Sequence, residues 1–178
     1  MLRLAVVISF AFVVAFPCLG QATVTPIGAA CQTAEGVAAM GYSGVPSLGT
    51  WFTLDVTGPN HLFDSAQTRT QPVLVLGFAL LGGVPIPPES FPLQPVGCEL
   101  WTSHRIVVPM VPPSPLACPQ CTEYPDAFPI WIPNQPQLDG LTFFAQWLVV
   151  HTQCGFSGCD PAPLWIGTSD AVVCTIGP

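Results

Sequence analysis

Positive charge is almost missing from this chain. It has no lysine, and its three arginines stand against ten acidic residues. Such a surface repels phosphate backbones and anionic headgroups, so nucleic acid and membrane surfaces are poor partners. Charge of either sign is scarce at 7% of residues, while 50% are hydrophobic, the reverse of a disordered composition. Long helical stretches are missing too, because 22 prolines are scattered over the whole length. Ala34 to Met40 comes nearest to a helical pattern, but it is short and contains Gly36. There is no Gly-x-Ser-x-Gly elbow, no phosphate-cradling glycine loop and no Asp-x-Asp-x-Asp-Gly calcium loop. Only one long apolar run occurs, and it opens the chain.

That run extends from Leu4 to Phe16, broken only by Ser9, behind the basic Arg3. Pro17 ends it, and Gly20-Gln21-Ala22 supplies small residues for a peptidase. Residues 1–22 therefore read as a secretory signal, too short to span a bilayer comfortably. Cys18 follows a proline, which makes a poor lipidation box. The expectation is cleavage after Ala22, export to the cell envelope or beyond, and no membrane insertion afterwards. Residues 23–178 then form one domain, long enough to bury a real core.

The remainder reads as short strands. In Trp51 to Thr57, Phe52, Leu54 and Val56 alternate with polar residues, so one face is buried and one is wet. Pro72 to Leu80 is continuously apolar, as in a strand covered on both faces. Cys98 to Ser103, Arg105 to Met110, Leu141 to His151 and Asp170 to Ile176 are further strands. Val37 to Tyr42 and Pro163 to Gly167 carry weaker signals. Phe128, Ile130 and Ile132 alternate across Pro129 and Pro133, which suits an edge strand. Seven to nine short strands at this spacing predict an all-β, antiparallel sandwich.

Three stretches carry a resemblance: Gly44 to Leu54, Pro72 to Gly77, and Ile132-Pro133-Asn134 running on to Gln146-Trp147. Together they resemble a short secreted all-β domain of unknown function. It is found alone or at the C-terminal end of extracellular proteins in planctomycete-like bacteria. The similarity covers roughly residues 25 to 177 and implies a secreted β-domain without an assigned activity. Members tend to carry cysteines near Cys31 and Cys98, which implies that these two pair. Ala117 to Asp126 and Gln153 to Pro161 depart from the pattern as cysteine-bearing insertions.

Export makes disulfides the default state of Cys31, Cys98, Cys118, Cys121, Cys154, Cys159 and Cys174. Cys154 and Cys159 would staple a tight loop. Cys118 and Cys121 could pair with each other or with the other insertion. Cys174 is then the odd one, suited to a buried inert thiol among Val172, Val173 and Ile176. A zinc-stabilised module is the alternative, since Cys118, Cys121, His151 and Cys154 have ligand spacing. Oxidation of exposed thiol pairs competes with it. No cofactor is implied.

No nucleophile–base set emerges. His61, near Asp64, reads as a solvated loop residue, and His104 beside Arg105 as a strand-edge residue. Most acids neighbour proline or glycine in turns, so a small secreted hydrolase with paired carboxylates is only an alternative. Three tryptophans suggest binding instead. Trp51, Trp131 and Trp165 sit on the parity opposite to Phe52/Leu54, Ile130/Ile132 and Leu164/Ile166. If those aliphatics point inward, all three indoles point outward and offer a platform for sugar rings or a protein partner. Gln146 marks a wet parity, which makes Trp147 core. The expectation is a non-catalytic structural or interaction module, with a cell-wall polysaccharide or an envelope protein as partner.

Overall fold

A computed structural model describes residues 20–33, 36–57, 68–110, 127–155 and 158–178. It is all-β with antiparallel sheets. Among the described residues there are twelve strands, more than the seven to nine expected. Their order is β1 (Thr23–Ile27), β2 (Gln32–Thr33), β3 (Gly36–Val37), β4 (Ala39–Ser43), β5 (Trp51–Thr57) and β6 (Thr68–Gly77). There follow β7 (Leu80–Pro85), β8 (Glu99–Thr102), β9 (Ile106–Pro109), β10 (Ala127–Trp131), β11 (Thr142–Gly155) and β12 (Gly158–Thr175). The region read as faintly helical holds β3 and β4. Thr23, the residue after the expected cleavage point, is the first of β1. Residues 1–19 of the signal lie outside the described residues.

Five strands form the main sheet in the order β1-β12-β11-β6-β9, and β10-β5-β4 form a second. Between them lies the core. The alternation read in β5 supplies Phe52, Leu54 and Val56 from one side. Leu74, Phe143, Ala145, Trp147, Val172 and Cys174 come from the other. β10 is an edge strand, as Pro129 predicts. β6 is buried on both faces, with Leu74 and Val75 nearly inaccessible. The β7–β8 hairpin covers the far side of the main sheet, where Gln146 of β11 meets β8.

Two strands are longer than expected: β11 has 14 residues and β12 has 18. The sequence reading divides β12 between Gly167 and Asp170 and counts its first residues, up to Pro161, in an insertion. β1 pairs only with residues 171–175 of β12, and among the described residues no strand neighbours the earlier half on that side. Prolines are tolerated where no strand ladder asks for the N–H.

A bulge breaks the β11–β12 register. Gln146 faces Ala171, but Leu148 faces Thr168, so β12 carries one extra residue opposite Trp147. Side chains take up the displaced backbone groups. Trp147 N–H donates to Ser169 Oγ at 3.0 Å, and Ser169 Oγ donates to Asp170 O. Gln146 Nε2 donates to Ser169 O and to Glu99 O, both at 2.9 Å. Its Oε1 accepts from Trp101 N–H at 2.9 Å. Gln146 is thus fully buried, not solvated, because β8 covers the face on which it lies. That corrects the wet parity assigned to it, while Trp147 is core as expected, at 0% exposure.

Among the described residues one disulfide is placed, and it joins Cys31 to Cys98, the pair implied by the resemblance. It closes beside the bulge. Cys31 N–H donates to Thr168 O at 2.9 Å, and Glu99 N–H donates to Thr168 Oγ1 at 3.3 Å. By the chain-entropy relation a loop of this length is worth roughly 4 kcal/mol. Such a bond belongs to an oxidising, extracytoplasmic environment. Among the described residues no helix is long and apolar enough to cross a membrane.

Gln146→Ala should lower unfolding free energy by about 3–5 kcal/mol, because three buried backbone groups lose their partner. Denaturant titration measures it. A loss below about 1 kcal/mol would mean that the amide is not the clamp between β8, β11 and β12.

Candidate functional site

Only part of the tryptophan row stands on the surface. Trp51 opens β5 and Trp131 closes β10, and the register sets them directly opposite each other. Cross-strand partners share a face, so both indoles point away from the core that takes Phe52 and Ile132. Trp51 is 62% exposed and Trp131 45%. Their ring centroids are 5.3 Å apart with planes tilted by 48°.

The backbone beneath them is tied down. Ile132 N–H donates to Thr50 O at 3.0 Å, and Gly49 N–H donates to Ile132 O at 2.9 Å. Thr50 Oγ1 donates to Ser47 O at 2.8 Å. Gly49 has φ +71°, a left-handed conformation that glycine adopts without strain and that closes the turn before β5. Phe52 and Ile132, the residues after each indole, are buried at 1% and 4% exposure. The pair therefore rides on fixed backbone, and its rings contribute little to the core. Two adjoining indoles left in water form a surface that folding alone does not require.

Trp165 does not join them. It is buried at 5% exposure and stacks on His151, with centroids 4.7 Å apart and planes 6° from parallel. The premise that Leu164 and Ile166 point inward fails: both are only half-buried, and Trp165 between them is the residue that turns inward. It pairs with His151, which lies on the same parity of β11 as the core residue Trp147. The outward platform thus comprises Trp51 and Trp131 only.

His151 is buried, with Nδ1 2.9 Å from Thr70 Oγ1. Of its expected zinc partners, Cys118 and Cys121 lie outside the described residues, as does the Cys154 side chain. Among the described residues no cluster of three or more His, Cys, Asp or Glu is placed to hold a metal. Cys154 and Cys159 face each other in the β11–β12 ladder, the placement a staple would need. Their side chains are outside the described part. His61 and Asp64 are outside it too. His104 is exposed in the link between β8 and β9.

Cys174 is a free, fully buried thiol within the core, matching its expected role. Burial disfavours the thiolate and pushes its pKa up to about 12.

Sequence reasoning missed a second glutamine. Gln94 is 8% exposed. Its Nε2 donates to Ile166 O and its Oε1 accepts from Ile166 N–H, both at 2.9 Å. The side chain thus imitates a neighbouring strand along the part of β12 that β1 does not reach. Nothing in the spacing around Pro92 and Pro95 signals it.

Comparison with known proteins adds no relative. No protein-family model, no curated protein and no solved structure matches this chain.

Cys174 should stay unmodified by iodoacetamide in the native protein and react once the chain unfolds, as read by peptide mass mapping. Since folding raises its pKa, its contribution to stability is complete below the ordinary thiol value. That contribution falls as pH rises from about 9 towards 12. Rapid native labelling of the Cys174 peptide at pH 8 would contradict the burial.

Proposed function

We propose that this chain works outside the cytoplasm as a non-catalytic interaction module that engages its partner through the exposed tryptophan pair. The observation that carries the reading is the Trp51–Trp131 contact, two largely exposed indoles held side by side on a braced pair of strands. Large, rigid aromatic rings give contact area at small entropic cost, which is why they recur at binding sites. The disulfide supports an extracytoplasmic setting. The apolar run of residues 4–16 supports export through a cleaved leader. The resemblance to a secreted all-β domain points the same way. A cell-wall polysaccharide and an envelope protein are the two kinds of partner such a face suits.

Trp51→Ala and Trp131→Ala should each change stability by less than about 1 kcal/mol, since both rings are surface groups. Each should remove most of the tryptophan fluorescence shift that the wild-type protein gives with purified cell-wall polysaccharide or envelope proteins. Trp101, Trp147 and Trp165 provide the unchanged background emission. A wild-type response that persists in the double variant would overturn the reading.

A further inference from the structure

The tryptophan pair has a counterpart elsewhere on the molecule. On the indoles' own face, the exposed Pro129 sits two residues before Trp131 and continues the apolar strip along β10. Val96 and Leu93 are, with Trp51, the most exposed large hydrophobic side chains among the described residues, at 84% and 62%. Both belong to the link between β7 and β8, residues 86–98, which holds four prolines and a single charge, Glu89. This loop is fixed in place. At its foot Ile86 N–H donates to Cys98 O at 2.8 Å, beside the disulfide. Further along, Leu93 N–H donates to Leu164 O at 2.9 Å, and Gln94 clamps Ile166.

The two patches lie towards opposite ends of β12. Leu48, in the turn before Trp51, donates its N–H to Gly177 O at 2.9 Å, whereas Leu93 is held at Leu164. Those anchor points are separated by about 40 Å of extended chain. One copy therefore cannot bring its loop onto its own indoles. The patches match in chemistry. An indole N–H only donates, while a proline keeps its carbonyl and has no N–H, so a proline-rich loop is rich in acceptors. Aromatic-lined surfaces also suit proline-rich segments because a fixed φ leaves little entropy to lose on docking.

We propose that the protein associates head to tail: the loop of one copy, led by Leu93 and Val96, docks on Trp51 and Trp131 of the next. The proposal rests on the reading of Trp51 and Trp131 as the binding surface, and it names a second copy of this chain as the partner. Plug and socket are different patches towards opposite ends of the molecule. The contact is thus heterologous, every pair keeps one free plug and one free socket, and further copies add in the same way. Two indoles and a proline present on the order of 400 Å², about half of the roughly 800 Å² that each partner gives to a stable interface. Each contact is therefore weak and reversible, and association builds only where the protein is concentrated.

Sedimentation velocity of the oxidised, exported protein from about 10 μM to about 1 mM tests this. The wild type should form species that grow with concentration past a dimer. A socket variant carrying Trp51→Ala and Trp131→Ala, and a plug variant carrying Leu93→Ser and Val96→Ser, should each associate at least tenfold more weakly. Thermal unfolding checks that both keep the fold. An equal mixture of the two variants retains one working plug and one working socket, so it should give a dimer and nothing larger. A wild type that stays monomeric, association that survives in either variant, or a mixture that fails to pair would overturn the proposal. If self-association fails but a polysaccharide or another envelope protein binds through Trp51 and Trp131, the head-to-tail proposal falls and the binding-face reading stands. If neither a second copy nor any of those ligands depends on the two indoles, both fall.

Discussion

The structure depends on how the main sheet absorbs one extra residue opposite Trp147. A bulge displaces backbone donors and acceptors from their ladder partners, and a buried polar group without a partner costs about 1–3 kcal/mol. Here the site is covered on both sides, by the core and by β8, so water offers no remedy. Uncharged side chains fill the gap: Gln146 and Ser169 from the sheet, and Cys31 from the preceding loop. The same groups fasten β8 to β11 and set the disulfide against β12. The bulge is therefore also the place where the layers are joined.

That arrangement explains an oddity of composition. The chain has few charges, and its interior polar work is done by amides and hydroxyls. Gln146, Gln94, Thr70, Thr102, Thr168 and Ser169 are all buried. A neutral amide can donate and accept at once, so one glutamine serves several backbone groups without the desolvation cost of burying an ion. Gln94 does this at Ile166, and β1 covers the later part of β12. The longest strand is thereby shielded along much of its outer side, which guards against edge-to-edge pairing with other chains.

What could be read from residues alone follows from these facts. Period-two alternation survives wherever a strand is regular, so Phe52, Leu54 and Val56 announce the core face and Trp51 the outer one. Pro129 announces the edge position of β10. Alternation does not say which parity faces inward: around Trp165 the indole is buried and its aliphatic neighbours Leu164 and Ile166 are only half-buried. Gln146 was misread differently: polarity signals solvent only if nothing covers the strand, and no local feature reveals that β8 returns to cover it. The Cys31–Cys98 pairing came through the resemblance, since seven cysteines after the leader leave many pairings open. The length of β12 is hidden twice: by the bulge, where the reading splits it between Gly167 and Asp170, and by Pro161 and Pro163. Prolines break a strand only where a neighbouring strand needs their N–H.

The tryptophan pair sits on the layer that, among the described residues, nothing covers. The main sheet is covered on one side by the core and on the other by the hairpin of β7 and β8. The three-stranded sheet has the core on one side, and its outward face carries Trp51 and Trp131. That sheet is held to the rest by core packing, including the Phe52–Phe143 contact at 6.0 Å, and by Met40 N–H donating to Asp170 Oδ1 at 2.7 Å. Asp170 follows Ser169 in the bulge. The constraint that organises the main sheet thus also positions β4 beneath the outward face. A surface held in this way enters binding with its strands already ordered, so little of the interaction energy goes to arranging them. This favours affinity built from few contacts, such as two exposed indoles supply.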